Sequence, residues 1–408
     1  MIKKIFIIII FINIIFVNYC SVFADDENEE FNSNDYIEVL NQVEDNLTLN
    51  SRIAVVYDRK SGNIIWGKNE NKRTAMASTT KIMTAIVLLE NVKDLNEIVT
   101  ISQKSAGTGG SRLGLKVNDK ITLNDLLYGL MLKSGNDAAV AIAERVGGSV
   151  DGFSVLMNEK AKQLGLENTH FVTPHGLDNP EHYTTAYELA QLADYALQNE
   201  KFAKVVNTKN YTVQINGYSK NIANTNELLG NLNGVNGVKT GFTNNAGRCL
   251  VTSVNRDGFE IITVVIQADT KKFRTSDSIK LIEYTYKNYE LINLKDIVNK
   301  EFENWCMINE KRIQINKCRG NDLDLYLCEL TDNIIPIRKM DKEKILIEVN
   351  SIFMLDAPVD KNTIIGNLKV MLNEEVIDVV EIRNNNFIEK KNIIDYFNLC
   401  MIELFNWY

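Results

Sequence analysis

Apolar and polar residues follow different patterns in successive parts of the chain, and the pattern between residues 52 and 290 predicts a mixed fold. Two apolar runs, Ile53–Tyr57 and Asn63–Trp66, flank a turn-rich connector and predict a β-hairpin. Near the other end, Arg248–Ser253 and Phe259–Gln267 predict two adjacent strands. Strands from both ends that enclose a helical middle indicate one α+β domain with a largely antiparallel sheet.

The helical middle is predicted from apolar residues that recur every three or four positions. Its amphipathic segments are the apolar run that follows Lys81, then Leu123–Leu132, Asp137–Val146, Gly152–Leu164 and Thr184–Leu197, with a closing helix at Ser276–Tyr289. The glycine-rich residues 107–115 interrupt these segments, and we expect them to form a loop near a cleft.

Beyond residue 290 the pattern changes to short β-prone runs separated by polar turns. Lys344–Val349 and Val376–Ile382 are two of these runs. Residues 291–388 are therefore expected to form a small, β-rich and otherwise helix-free domain, of a size that is usual for a domain.

The last residues, 389–408, have a third pattern. From Asn392 to Tyr408, apolar side chains cover most of a helical wheel and leave only a narrow polar side. This predicts an amphipathic helix that lies on a membrane surface. A helix that packs on the β-rich domain is the alternative, and the scarcity of basic residues on the polar side favours it somewhat.

The first residues predict export. Lys3 and Lys4 precede an apolar run at residues 5–17, and small residues at Ser21 and Ala24 fit a cleavage site after Ala24. We therefore expect residues 1–24 to be a signal peptide, and the acidic, asparagine-rich residues 25–51 to be a solvated lead-in. The membrane that the C-terminal helix contacts is then the cytoplasmic membrane, at its outer surface.

Charge and cysteine content exclude some functions. The formal net charge of −8 argues against nucleic acid as a partner, because phosphate binding requires a basic surface. No C-x-x-C spacing indicates zinc or redox chemistry. Cys306, Cys318 and Cys328 are close enough in sequence for one disulfide, and free thiols are equally compatible with the sequence.

Candidate chemistry begins at Ser78, which is the only serine in the chain with a lysine three residues later. Residues i and i+3 share one face of a helix, so the Ser78 hydroxyl and the Lys81 amine can meet. A nucleophile beside a candidate base, at a helix N-terminus that favours developing negative charge, indicates covalent catalysis without histidine.

Two further motifs follow in order. Ser134-Gly135-Asn136 lies between two predicted helices, and Lys239-Thr240-Gly241 precedes a predicted strand at the edge of the sheet. Either triplet alone is a weak signal. Lys60-Ser61-Gly62, for example, also has a lysine, then a serine or threonine, then a glycine, as Lys239-Thr240-Gly241 does. The combination of all three motifs in these contexts, together with an export signal, is specific.

With these three motifs the chain resembles the serine-type D-alanyl-D-alanine carboxypeptidases, the low-molecular-mass penicillin-binding proteins of peptidase family S11. Supporting stretches are Met131–Ala138, Thr173–Asp178 and Gly237–Thr243. The resemblance implies a β-lactamase/transpeptidase-like α+β fold, an antiparallel sheet with a helical subdomain. It also implies a peptidoglycan stem peptide as substrate, β-lactam antibiotics as inhibitors and membrane attachment through the C-terminal helix.

The same resemblance implies a role for each motif residue. Ser78 is the nucleophile, Lys81 the general base, and Ser134 with Asn136 relays a proton to the leaving D-alanine. Lys239, Thr240 and Gly241 are implied to bind the substrate, and the backbone N–H groups of Ser78 and Phe242 to form the oxyanion hole. Neither a metal nor another cofactor is implied, and His170, His175 and His182 are expected to be structural.

Two alternatives accompany this interpretation. A class A β-lactamase needs a glutamate-activated water, and no glutamate between Asn136 and Lys239 begins an E-x-x-L-N pattern. A non-catalytic β-lactam or peptidoglycan sensor on the same fold is disfavoured by the complete set of hydroxyls and lysines.

Overall fold

The computed structural model describes residues 33–41, 47–320 and 323–405. The signal peptide predicted at residues 1–24 lies outside this range. The chain divides into two compact units, the first ending at Lys287 and the second beginning at Asn288. Each unit has its own sheet and its own apolar core.

The helices and strands of the first unit have the following bounds. The helices are α1 (Ser33–Asn41), α2 (Lys81–Asn91), α3 (Gln103–Gly107), α4 (Leu123–Met131), α5 (Asn136–Gly147), α6 (Val150–Gln163), α7 (Ala186–Leu197), α8 (Glu200–Val206) and α9 (Lys271–Asn288). The strands are β1 (Ile53–Asp58), β2 (Ile64–Lys68), β3 (Ile98–Thr100), β4 (Lys120–Thr122), β5 (Asn210–Ile215), β6 (Tyr218–Ala223), β7 (Val235–Thr243), β8 (Gly247–Arg256) and β9 (Phe259–Ala268).

The main sheet joins the two ends of this unit in the order β2-β1-β9-β8-β7, with every neighbouring pair antiparallel. All six residues of β1 are buried, because β1 lies inside the sheet and is covered on its faces. Strand β7 is one of the two edge strands, so one side of it is not paired within this sheet. The α+β fold predicted from the sequence is confirmed.

Helix α2 passes through the core of the first unit. Its residues from Lys81 to Leu88 are all buried, and the surrounding cluster includes side chains from α4, α5 and α7. A helix that is apolar on every side requires such an interior position. The first turn of α2 is therefore held rigidly, and Lys81 lies in it.

The second unit contains β10 (Tyr289–Asn293), α10 (Leu294–Asn309), β11 (Gln314–Asn316), β12 (Leu325–Leu327), β13 (Ile334–Arg338), β14 (Ile345–Ser351), β15 (Met354–Asp356), β16 (Ile364–Leu372), β17 (Glu375–Asn384) and α11 (Ile393–Phe405). Its largest sheet has the order β12-β17-β16-β14. The β-rich character is as predicted, but α10 is a helix where the sequence interpretation expected only strands.

A capping residue and the spacing of apolar side chains explain why α10 is a helix. Asn293 caps the helix by accepting the backbone N–H of Asp296, and Leu294 and Val298 are buried one turn apart. Asn293 and the spacing of Leu294, Val298 and Phe302 are helix signals that the shorter β-prone runs around them concealed.

Two further features differ from the prediction: the lead-in contains a helix, and the closing helix begins earlier. Within the lead-in, predicted to be solvated, α1 is a helix whose Val39 is buried and whose Asp35 pairs with Lys272 at 2.8 Å. The closing helix α9 begins at Lys271 rather than Ser276. Its first turn carries Arg274, which proves to be part of the candidate active site.

Cysteines and membrane-crossing segments complete the description. The five cysteines in the described part of the chain, Cys249, Cys306, Cys318, Cys328 and Cys400, are free thiols. The disulfide that the sequence left open is therefore not formed. Among the described helices, none combines the length and apolar character that a membrane crossing requires.

Candidate active site

Ser78 lies in a short 3₁₀ turn, Ala77–Thr80, that leads directly into α2. The preceding residue, Ala77, has a φ of 48°, in the left-handed region that residues with a side chain seldom adopt. Glycine at 241 allows β7 to reach this turn, because a Cβ there would lie 3.1 Å from Ser78 N. The surrounding packing thus holds a strained backbone at the serine, as is common at functional sites.

The Lys81 amine connects three elements of the site. Its Nζ lies 2.8 Å from Ser78 Oγ, and it donates hydrogen bonds to Asn136 Oδ1 at 2.7 Å and to the carbonyl of His175 at 2.9 Å. The side chain is completely buried. The structure therefore brings Ser78, Lys81 and Asn136 together, as the sequence predicted.

Electrostatics favour a neutral amine on Lys81. Burial, and secondly the charge of Lys239, lower the pKa of Lys81 well below that of an ordinary lysine. Burial removes the hydration that stabilises an ammonium, and a nearby cation repels it. A neutral amine has two N–H groups, which the Asn136 and His175 oxygens can accept, and its lone pair is then free to accept the proton of the Ser78 hydroxyl.

Ser134 lies on the predicted turn between α4 and α5, and Asn136 is the first residue of α5. Ser134 has a φ of 58° and lines the cleft that contains Ser78. Both Ser134 and Asn136 are buried. Asp137 fixes this turn against the glycine-rich loop by accepting the N–H groups of Leu113 and Gly114 at 2.8 and 2.7 Å. The loop predicted at residues 107–115 is confirmed, and it borders the cleft.

Lys239, Thr240 and Phe242 lie on the edge strand β7. Lys239 is buried, and its Nζ donates to the carbonyl of Thr240 at 3.0 Å. The Thr240 hydroxyl lies 2.7 Å from that of Thr225 and faces the cleft, where Phe242 is 41% exposed. A cation and a hydroxyl on one strand are groups that can bind a carboxylate.

Arg274 is the residue that the sequence interpretation missed. It lines the same cleft from α9, is buried, and donates to Glu227 at 2.7 Å. Burial, and secondly Arg274, lower the pKa of Lys239 from 10.5 to about 7. The cleft has a volume of about 680 Å³, and the charge of Arg274, which lines it, acts on the buried Lys239.

Histidine and metal chemistry have little support in this site. His175 contributes its backbone carbonyl to Lys81, while its ring Nδ1 accepts the N–H of Leu177 at 3.2 Å. Burial, and then the charge of Lys81, lower the pKa of the His175 ring to about 3. The described residues contain no cluster of side chains that could hold a metal ion.

A serine beside a buried lysine, a Ser-x-Asn turn and a lysine on an edge strand define the class of penicillin-interacting serine enzymes. The sequence model of the D-alanyl-D-alanine carboxypeptidases, peptidase family S11, matches residues 40–270. The chain belongs to this family.

Individual relatives agree with that assignment. The chain is 31% identical to the D-alanyl-D-alanine carboxypeptidase DacF of Bacillus subtilis, an alignment that covers 86% of this chain and 89% of the relative. It is 33% identical to DacA of Escherichia coli K12, with 85% and 86% covered.

Solved structures give the same result. The crystal structure of the carboxypeptidase DacD from Francisella tularensis matches with a TM-score of 0.70 and 27% identity, covering 85% of this chain and 95% of that one. Penicillin-binding protein 5 from Haemophilus influenzae matches with a TM-score of 0.66 and 28% identity, covering 85% and 99%. The chain is a serine-type D-alanyl-D-alanine carboxypeptidase, and the β-lactamase and sensor alternatives are not supported.

Proposed function

We propose that the enzyme removes the terminal D-alanine from peptidoglycan stem pentapeptides through an acyl-enzyme on Ser78. The observation that carries this proposal is the 2.8 Å hydrogen bond between Lys81 Nζ and Ser78 Oγ, at a lysine whose pKa is strongly lowered. A serine hydroxyl becomes an effective nucleophile only when a base of this kind is within reach.

Acylation begins when Ser78 Oγ attacks the carbonyl carbon of the penultimate D-alanine and Lys81 takes the hydroxyl proton. The oxygen of that carbonyl becomes negatively charged, and the N–H groups of Ser78 and Phe242 stabilise it. The Ser78 nitrogen lies at the contact between the serine turn and Gly241, the residue that precedes Phe242 on β7.

Collapse of this intermediate breaks the C–N bond. The Ser134 hydroxyl donates its proton to the departing amine of D-alanine and recovers one from Lys81. Asn136 holds the Lys81 amine in place through its Oδ1, and Gly109 fixes the Asn136 amide by accepting its Nδ2–H at 2.7 Å.

Deacylation repeats these steps with water in place of the serine. Water attacks the ester carbonyl, Lys81 accepts the water proton, and the ester bond to Ser78 Oγ breaks as that oxygen is reprotonated. The products are the shortened peptide, a free D-alanine and the original enzyme.

Lys239 and Thr240 bind the free carboxylate of the substrate, and the charge of Arg274 acts on Lys239. A carboxylate that enters the cleft brings a negative charge close to Lys239. This raises the pKa of Lys239 again and favours its charged ammonium form. Substrates therefore require a free terminal carboxylate, and β-lactams, which carry a carboxylate beside a strained amide, act as inhibitors at the same position.

Release of D-alanine from a pentapeptide that ends in D-Ala-D-Ala tests this proposal. We expect turnover with the unmodified enzyme and no release above background with Ser78→Ala. Turnover by the Ser78→Ala variant, or efficient release of D-alaninamide from a substrate whose terminal carboxylate is amidated, would contradict the proposed mechanism.

The enzyme acts outside the cytoplasm in this proposal, and its domains are a catalytic domain at residues 52–290, a β-rich domain at residues 291–388 and a helix at residues 389–408. We propose that this helix attaches the enzyme to the outer surface of the cytoplasmic membrane. In α11 the large apolar side chains are exposed, with Ile393 at 87% and Phe397 at 63%. A surface helix of this kind is stabilised by the apolar part of a membrane interface.

Sedimentation with liposomes tests the attachment. The variant Ile394→Asn/Phe397→Asn is expected to leave the vesicle fraction while its D-alanine release from soluble peptide stays unchanged. Leu346→Asn/Val379→Asn removes two exposed apolar side chains from the sheet of the second unit and is the matched control. Equal sedimentation of both variants would contradict attachment through α11.

A further inference from the structure

A chain of hydrogen bonds connects His182 to the turn that carries Ser78. The His182 ring is 2% exposed. Its Nδ1 atom accepts the backbone N–H of Val172 at 2.9 Å, and its Nε2 atom lies 2.8 Å from Thr80 Oγ1. The reaction steps described above do not use this histidine, although Thr80 is only two residues from Ser78.

These contacts fix where the ring proton lies. Because Nδ1 accepts an N–H, a neutral ring carries its proton on Nε2 and donates it to Thr80 Oγ1. Burial, and secondly His170, lower the pKa of His182 to about 4, so the ring is neutral at neutral pH. The Thr80 hydroxyl is then directed to donate to the carbonyl oxygen of Ala77, at 2.8 Å.

The Ala77 carbonyl belongs to the same peptide unit as the Ser78 N–H. A peptide unit is planar, and in the trans form its oxygen and its N–H point in opposite directions. Whatever fixes the Ala77 oxygen therefore also fixes the direction of the Ser78 N–H. The strained φ of Ala77, 48°, means that an unrestrained turn would relax toward other orientations of this plane.

Gly176 supports the same plane from another side. Its φ is +85°, and a Cβ at this position would lie 1.8 Å from the Ala77 oxygen and 2.6 Å from Thr80 Oγ1. Only glycine allows the loop between Phe171 and His182 to lie so close to the serine turn. The His182–Thr80–Ala77 contacts are thus part of a packed and specific arrangement.

We propose that His182, acting through Thr80, is a positioning residue that orients the Ser78 N–H as an oxyanion donor. This inference rests on the proposed function, in which that N–H stabilises the charged oxygen of the tetrahedral intermediate. The donor interaction strengthens as charge develops, so its loss lowers kcat while leaving substrate binding nearly unchanged.

Matched variants separate positioning from simple core packing. His182→Asn keeps an oxygen close enough to accept from Val172 but is too short to reach Thr80, whereas His182→Gln places an N–H near the original Nε2. Thr80→Val removes the relay hydroxyl at nearly constant shape, and Thr80→Ser retains it. The variants are made in the full-length enzyme, and their melting temperatures are measured in parallel.

The readouts are kcat and KM for D-alanine release, and the affinity for a peptide boronic acid, which forms a tetrahedral adduct with the serine. We expect His182→Asn and Thr80→Val to lower kcat about 10- to 100-fold, as removal or misdirection of an oxyanion donor does. KM should change less than twofold, and boronate affinity should fall with kcat. The double variant should be no slower than either single one, because both break the same chain.

Rescue completes the test, with His182→Gln and Thr80→Ser expected to recover most of kcat. Unchanged kcat in His182→Asn and Thr80→Val, additive losses in the double variant, or a loss confined to KM would overturn the inference. If His182→Asn fails to fold, the Thr80 pair still decides the matter. Failure of the proposed function is distinguished separately, since it would show as turnover by Ser78→Ala.

Discussion

The two units of this enzyme handle cationic side chains in opposite ways. In the first unit, Lys81 and Lys239 are buried, and both have lowered pKa values. In the second unit, Lys344 and Arg383 pair with Asp341 and Glu381 and keep part of their side chains in solvent. Burying a cation is costly, so the first unit maintains an unfavourable arrangement, which the proposed reaction would use.

The backbone shows the same contrast. The second unit has left-handed residues at Asn373 and Glu374, with φ values of 50° and 70°, in the tight turn between β16 and β17. Two such residues are usual in a two-residue hairpin turn. The first unit has the same conformation at Ala77 and Ser134, where the residues flank or carry reactive hydroxyls. The first unit also has this conformation in a hairpin turn, at Asn216, so the contrast lies in its further occurrence beside the candidate reactive hydroxyls.

The largest effect expected from this contrast follows removal of the buried base. Lys81→Gln keeps a polar side chain of similar reach but cannot accept the serine proton, so acylation by benzylpenicillin should slow about 10³-fold. Lys133→Gln removes an exposed lysine that lines the same cleft and should stay within about threefold of the unmodified enzyme. The acylation rate of each variant is measured by stopped flow. A similar loss of rate in both variants would contradict the role of the buried Lys81 amine as the base.

The second prediction concerns pH. Since the pKa of Lys239 is lowered to about 7, the free enzyme loses this charge as pH rises through that value, and kcat/KM for a carboxylate substrate should fall with it. The bound carboxylate stabilises the ammonium, so the corresponding fall in kcat should lie at higher pH.

Arg274→Gln sharpens this prediction. Because Arg274 lowers the pKa of Lys239, its removal should move the alkaline limb of kcat/KM to higher pH while raising KM about tenfold through the lost cation. Arg383→Gln, in the second unit, should leave both the limb and KM unchanged. An alkaline limb that does not move in Arg274→Gln would contradict the coupling of the two cations.

The smallest expected effect follows substitution of two left-handed residues, Ala77 in the first unit and Asn373 in the second. Ala77→Gly relieves strain but lets the serine turn relax, so kcat/KM should fall about threefold without a lower melting temperature. Asn373→Gly makes the same kind of change in the hairpin of the second unit and should leave kcat/KM unaltered. Equal activity in both variants would show that strain at Ala77 has no catalytic role.

Local sequence patterns were sufficient to predict one part of the site. Ser78 and Lys81 are three residues apart on one turn, so their contact follows from helical geometry alone. Ser134, Asn136 and Lys239 were placed by motif order and by the predicted turn and sheet edge. The structure gives these residues the expected neighbours, while their catalytic roles remain proposals.

Other parts depend on contacts that sequence spacing does not encode. Arg274 reaches the cleft because α9 begins one turn earlier than predicted, and its partner Glu227 is 47 residues away. His182 contacts Thr80 across 102 residues. Helix α1 was hidden by the acidic composition of its segment, although Val39 is buried there. Long-range packing of the loops, rather than local propensity, decides each of these features.

The most direct test of the central claim is the mass of the enzyme after exposure to benzylpenicillin. We predict one added penicilloyl group that persists for many minutes, a labelled peptide that contains Ser78, and no addition to Ser78→Ala. A label on another residue, or an unlabelled enzyme that rapidly consumes benzylpenicillin, would contradict the assignment of Ser78 as the acylated serine of a carboxypeptidase.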